Sequence, residues 1–324
     1  VDLLIALFTP EMLRTGIGLT TPILFGAIAS ALSNRAGVLN LAIEAKMLIG
    51  AFVGLFALSA TQSIPLAILF AAVAGASTGL LMAAAHAIKV DLIIFAIGLN
   101  LLAVELSVYL MRVLFGNVGV WRPEVPAMEK YDIPVIGDIP IIGPLVSGHN
   151  ALVYLAFLAA IGYAVLFRYR AGRHLLAVGE SPKAAAAAGI STGRVQTWAL
   201  AASGALAGIG GSYLTVGDLG LFARNMTDGD GWIAVTAALL AMSRPRFIVP
   251  AALLFGFSDA FAIRLQSVTD LPQVVVQLIP FAATLLVLAF VGVRVMRAEK
   301  TLGMFRPPRR GIFERFRQAP RVGA

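Results

Sequence analysis

Cysteine is missing from the whole chain of 324 residues, so no disulfide can form and the redox compartment is left open. Charge is scarce too: Asp, Glu, Lys and Arg make up 13% of the residues, against about 25% in a soluble domain. So small a share cannot coat a water-facing globule of this length. Histidine occurs at His86, His149 and His174 alone, far apart in sequence. Neither H-E-x-x-H nor G-x-S-x-G occurs, which argues against a membrane enzyme built on zinc or a serine triad. G-x-x-x-x-G-K-[ST] is missing as well, so the chain has no phosphate-binding loop of its own.

Apolar residues supply 59% of the chain and the mean hydropathy is +0.88. Apolar runs long enough to cross a bilayer recur along most of it. The expected fold is therefore all-α, a polytopic helical membrane protein. Nine spans are read at about 16–33, 38–60, 64–88, 92–115, 150–167, 195–215, 230–243, 247–264 and 274–293, with eight or ten as the alternatives. The start, Val1-Asp2-Leu3-Leu4, lacks the basic region and small-residue cleavage site of a secretory signal, so the first apolar segment is expected to be retained.

The formal net charge is +8. No aromatic-rich basic module accompanies it, so no nucleic-acid partner is expected. The basic residues sit in short loops and in the tail, where they hold a chain against the cytoplasmic leaflet. Arg168, Arg170, Arg173, Lys183 and Arg194 lie between spans five and six, Arg35 before span two, and Arg244 and Arg246 between spans seven and eight. With nine spans all of these share one side with the Arg-rich C-terminus, and that side is expected to be cytoplasmic. The other side receives 116–149, with Glu124, Glu129, Asp132 and Asp138, and 216–229. The segment 116–149 carries five prolines and is too long for a plain connector, which suggests a cap or docking rim. The expected organisation is a transmembrane domain over 1–296, followed by a basic cytoplasmic tail over 297–324.

The segment 168–194 encodes a short helix with legible ends. Ser181 is an N-cap, Pro182 fits the first helical position and Gly189 fits the residue just past the end. Lys183 and five alanines, Ala184 to Ala188, lie between them. About two turns of helix do not persist alone in water. Either another protein packs on this smooth alanine face, or the helix lies on the membrane or on its own spans.

Polar residues inside spans are the other candidates. Glu44, Glu105 and Asp259 are charges at bilayer depth, which face a bundle interior or water. Asn40 and Asn100 both donate and accept, which suits hydroxyl-rich or heterocyclic solutes. Each reading as a pathway residue competes with a role in holding helices together. Asp259 also has a same-face neighbour in Arg264. The stretch 215–243 is interrupted by Gly217, Gly220, Gly229 and Gly231, with Thr227, Asp228 and Asp230 expected at its outer mouth. Interrupted spans are where transporters line cavities with free backbone groups, the alternative being an ordinary re-entrant turn.

Three stretches carry a family resemblance. Ala177 to Ile190, with Gly179-Glu180-Ser181-Pro182-Lys183-Ala184 and on through Ala187 to Gly189, resembles the cytoplasmic coupling loop of ABC importer permeases for nucleosides, simple sugars and branched-chain amino acids. Ser203 to Gly211 in the next span is also similar, and its Gly204 and Gly208 form a step that lets helices approach closely. Asn34 to Ala51 resembles the nucleoside and simple-sugar motif E-R-A-G-V-x-N-x-x-L-E-G-x-M-L-x-G-A. It departs at Asn34, where the family has an acid, and at Ala45-Lys46. Val90 to Leu102 is similar to the family's fourth span. The resemblance covers about 15–296.

It implies a transport permease rather than an enzyme. The implied partners are a separate ABC ATPase docked on the 181–189 helix, a second permease subunit, identical or not, and an extracytoplasmic binding protein. The chain itself would hold no cofactor, ATP and Mg belonging to the ATPase. The implied place is the bacterial inner membrane and the implied cargo nucleosides, or ribose-like sugars. Two alternatives stay open: an importer for branched-chain amino acids, and a secondary transporter or channel that needs no ATPase.

Overall fold

A computed structural model describes residues 9–116, 119–134, 137, 139, 142–268, 278 and 282. The expected ninth span at 274–293 and the basic tail fall outside the described residues, apart from 278 and 282. Everything below concerns the unit Val1–Pro280.

The helices are α1 (Pro10–Arg35), α2 (Ile43–Thr61), α3 (Ile64–Ala87), α4 (Leu92–Phe115), the short α5 (Ile142–Val146), α6 (Ala151–Leu166), α7 (Arg170–Glu180), α8 (Pro182–Ala187), α9 (Thr192–Ser212), α10 (Asp230–Leu240) and α11 (Pro245–Val268). A π-helical segment, Tyr213–Leu219, continues α9. Among the described residues six helices are long and apolar enough to cross a membrane, counting α9 with its π extension; the pair α6 and α7, bent by 74°, would make a seventh. Eleven residues in α10 give about 16 Å, half a bilayer's hydrocarbon thickness. The stretch expected as span seven is therefore a half-length helix preceded by a non-helical segment.

α1 is the central helix and α4 a peripheral one, buried along only one stripe. The most extensive helix contact is between α3 and α9. A Cβ on Gly204 would overlap the Gly75 carbonyl, and one on Gly208 the Ala71 carbonyl. The glycine step in α9 thus meets a glycine on α3, and the two backbones touch, as the small-residue spacing predicts.

Span two begins later than its hydropathy suggests. α1 ends at Arg35, Gly37 takes φ +76°, and 38–42 runs as irregular chain before α2 starts at Ile43. Val38, Asn40 and Ala42 are all buried. Hydropathy registers an apolar run; it does not register that the run unwinds inside the protein.

The segment 116–149 contributes strands to two pairs at the end of the bundle opposite α8. β1 (Val120–Trp121) pairs with β4 (Phe222–Ala223), and β2 (Lys130–Tyr131) with β3 (His149–Asn150). Gln62, at the end of α2, donates to the Glu124 carbonyl at this same end.

Candidate functional site

The short helix α8 has the ends its sequence encodes. Ser181 is extended and its Oγ accepts from the Ala184 amide at 3.3 Å; Pro182 opens the helix. Gly189 sits at φ +80°, its amide donating to Ala186, while the Ile190 amide donates to Ala185, both at 3.0 Å. That pair of bonds is the Schellman closure of a helix end. Ala185 points inward, whereas Ser181, Pro182, Lys183, Ala184, Ala186, Ala187 and Gly189 are exposed. The alanine face is open to whatever approaches it.

α7 was not separated from the loop by sequence reasoning, although Gly172, Leu175 and Val178 bury at helical spacing. Its next-to-last residue, Gly179, packs on the turn after α1. A Cβ there would overlap the Arg35 carbonyl. Glu180 closes the helix and is exposed. Arg35 reaches the other way: Nε donates to the Ser243 carbonyl at 2.9 Å and Nη2 to Met242 at 3.4 Å, with Tyr163 Oη also on Ser243. The α7–α8 unit, the end of α1 and the α10–α11 turn are thereby tied at one end of the bundle.

Gly189→Val is expected to leave the fold intact, because nothing lies within 4 Å of the Cβ position. It should still cost about 1–2 kcal/mol at the helix end, since a β-branched residue is disfavoured at positive φ. The measurement is uptake against ATP hydrolysis in the assembled importer. Uptake should fall and solute-stimulated hydrolysis should uncouple, with Gly189→Asn much closer to wild type; normal coupling in the valine variant would remove α8 from the coupling role.

Further in, two irregular segments meet in a polar knot. Asn40 Nδ2 donates to Ser203 Oγ at 2.9 Å, and its Oδ1 accepts from the Ala42 amide and from Lys46 Nζ. Lys46, fully buried, also lies 3.7 Å from Met82 Sδ. Asn100, on α4, accepts from the Ala45 amide and donates to the Leu41 carbonyl, each at 3.0 Å. The unwound chain before α2 thus finds its hydrogen bonds in side chains from other helices, as irregular backbone at membrane depth must.

Glu44 closes the second segment. Its Oε1 accepts from Thr227 Oγ1 at 2.5 Å and the Gly229 amide at 3.1 Å, and its Oε2 from the Gly231 amide at 2.8 Å. A carboxylate on the first amides of α10 also faces the positive end of that helix. Thr227 is 1% exposed, so it lies in the interior and not at an outer mouth as its sequence context suggested. Asp259, half-buried on α11, falls within electrostatic range of Asp230, as do Glu44 and Asp228. The polar residues singled out in sequence are therefore distributed unequally. Asn40 and Asn100 bond the chain around the start of α2, Glu44 at that start bonds 227–231, and Asp259 lies within electrostatic range of Asp230.

Glu105 lies elsewhere. It projects from α4 to Arg224, Oε1 to Nη2 at 3.0 Å, with the Arg224 and Glu105 side chains 59% and 67% exposed. Sequence reasoning missed Arg224; only the surrounding glycines marked its segment. At the strand end, α1, β3 and the π segment enclose a cavity of about 410 Å³ lined by Arg14, Lys130, His149, Asn150, Tyr213 and Asp218 among others. Burial holds the His149 imidazole below its ordinary pKa, against the opposing effect of the hydrogen bond that it donates to the Pro144 carbonyl; Arg14 and Lys130 add to the lowering.

Among the described residues no pair of groups is arranged for bond-making chemistry, while an exposed capped helix and broken spans suit a transport subunit. Comparison with known proteins decides the class. The family model described as branched-chain amino acid transport system / permease component matches residues 12–288. The chain belongs to that permease family. A nucleoside ABC transporter permease protein of Lactococcus lactis is 30% identical, the match covering 84% of this chain and 90% of the relative. A guanosine ABC transporter permease protein of Bacillus subtilis is 30% identical over 84% and 89%. A putative glucose ABC transporter permease protein of Haloferax volcanii is 30% identical over 81% and 80%. No solved structure matches the chain. This permease is a multi-pass membrane protein and a transport component, not an enzyme.

Proposed function

We propose that this permease forms half of the membrane path of an ATP-driven importer for nucleosides, with ribose-like sugars as the next candidates. The observation that carries the coupling part is α8, a Schellman-capped alanine helix exposed on nearly every residue. A helix of six residues, uncovered, needs a partner to order it, and a separate ATPase that binds ATP and Mg is the partner that fits. The cargo rests on the nucleoside and sugar relatives and on the Asn34–Ala51 motif.

The basic residues around α7 and α8, with Arg35, Arg244 and Arg246 at the same end, support a cytoplasmic location for that end, in a bacterial inner membrane. With the ninth span expected from the sequence at 274–293, the Arg-rich C-terminus belongs on that side too. The strand end, with Glu124, Glu129 and the cavity at Lys130 and Asp218, then receives an extracytoplasmic binding protein. A second permease subunit covers part of the exposed apolar surface. Asn40, Glu44, Asn100 and Asp259 set the shape of the broken spans next to the path, and Glu105 stands on the path itself.

Uptake into vesicles with the ATPase and binding protein present tests the cargo. Uridine and adenosine should be imported, ribose more slowly, and leucine not. Import of leucine alone would favour the second reading, which the family's own description supports: an importer of branched-chain amino acids. Import by the purified chain without an ATPase would overturn both. Orientation is read from single cysteines, clean because the chain has none. Ser181→Cys should be shielded from an impermeant reagent outside intact cells and Glu129→Cys labelled; the reverse pattern would invert the topology.

A further inference from the structure

We propose that Arg224 and Glu105 face an aqueous path and make a direct polar contact with the passing solute. This rests on the reading above, that the chain imports a hydroxyl-rich neutral solute, and adds to it a residue from the broken segment that no sequence motif marks.

Depth comes first. Glu105 stands about 20 Å along α4 from Leu92 and about 15 Å from Phe115, at 1.5 Å per residue. A hydrocarbon layer of about 30 Å must cover that position if α4 crosses it. Its neighbours on the outer face of α4 are Leu101, Leu102 and Tyr109, all exposed. The ion pair interrupts this apolar face, and both of its side chains are more than half exposed. Facing lipid, such a pair is costly; spans keep charge toward protein or water.

Arginine can escape lipid by snorkelling, but Arg224 is not placed to do so. Its backbone continues the β1–β4 pairing, donating to the Gly119 carbonyl at 3.3 Å. Three residues later Thr227 is pinned on Glu44. With the chain fixed on both sides, the guanidinium reaches into the span and stops at Glu105. The π segment lies just before β4, so this short irregular stretch runs between the outer strands and the interior knot.

The chemistry fits the cargo. A carboxylate accepts from two neighbouring hydroxyls at once, as on a ribose ring, and a guanidinium donates to carbonyl, hydroxyl or ring-nitrogen acceptors. An aliphatic side chain satisfies neither. A hydroxyl-rich solute can replace each charge's partner as the pair parts.

The test uses the assembled importer, after wild-type uptake of uridine, or of ribose if that is the imported solute, has settled the underlying reading. Arg224→Cys and Glu105→Cys are treated from outside with a cationic, impermeant thiol reagent. Leu158→Cys, exposed but apolar on α6, is the lipid-facing control. Only a hydrated thiolate reacts, so both should label about tenfold or more faster than the control. Saturating solute should slow them severalfold and leave the control unchanged. Labelling no faster than Leu158→Cys means that the pair is sealed against lipid or a second chain, and overturns the proposal. Labelling that the imported solute does not slow does so as well. Exchange of the two charges, Glu105→Arg with Arg224→Glu, separates contact from support. The swap should assemble, yet take up solute with a raised KM; full recovery of uptake would make the pair structural.

Discussion

Glu44→Ala is expected to remove most of the assembled permease from the membrane, and to lower the melting temperature of what remains. The carboxylate is 6% exposed and accepts three hydrogen bonds from 227–231. Truncation leaves the Thr227 hydroxyl and the Gly229 and Gly231 amides without it. Each buried donor so stranded costs about 1–3 kcal/mol. Gly231 worsens the case, since its backbone lies against Glu44 so closely that a Cβ would overlap it. The two segments have no slack with which to find other partners. Glu44→Gln keeps the shape and one acceptor oxygen but turns an amide NH2 toward donors, so it should fall between alanine and wild type. Yield in membranes and thermal stability in detergent give the ranking. An alanine variant as abundant and as stable as wild type would show that Glu44 does not hold the broken span.

Gly204→Leu should be as damaging through sterics alone. Gly204 faces the Gly75 carbonyl on α3, and the neighbouring positions repeat the pattern. Gly79 meets Leu200, Gly50 meets Gly208, and Gly211 meets the Met47 carbonyl. These are backbone atoms, which cannot rotate aside as a flexible side chain does. Overpacking a close-packed interior costs about 1–3 kcal/mol, and more when helices must part. Moving α3 from α9 also disturbs Asn40, whose partner Ser203 precedes Gly204. Gly162→Leu is the control: it is also in a helix, but nothing lies within 4 Å of its Cβ position. The comparison is melting temperature and yield of the two leucine variants. If Gly204→Leu is no worse than Gly162→Leu, the glycine contact is not what sets the α3–α9 distance.

The sequence by itself determined whatever depends on one segment at a time. Spans are legible because backbone in lipid must bond within its own helix, so each needs its own apolar run. The ends of α8 are legible because Ser181, Pro182 and Gly189 act through bonds three to five residues long. The Gly204–Gly208 step announced a close approach without naming its partner. Tertiary structure decided the rest. It chose α3 as that partner, started α2 at Ile43 and not near 38, bent α7 away from α6, and left α10 half a span long. It also sorted the polar residues. Asn100 reaches 55 residues back to Ala45, Glu44 reaches 183 forward to Thr227, and Glu105 reaches 119 forward to Arg224. Hydropathy averages neighbours along the chain, whereas a buried polar group is satisfied by partners that only the packing of distant helices brings within 3 Å.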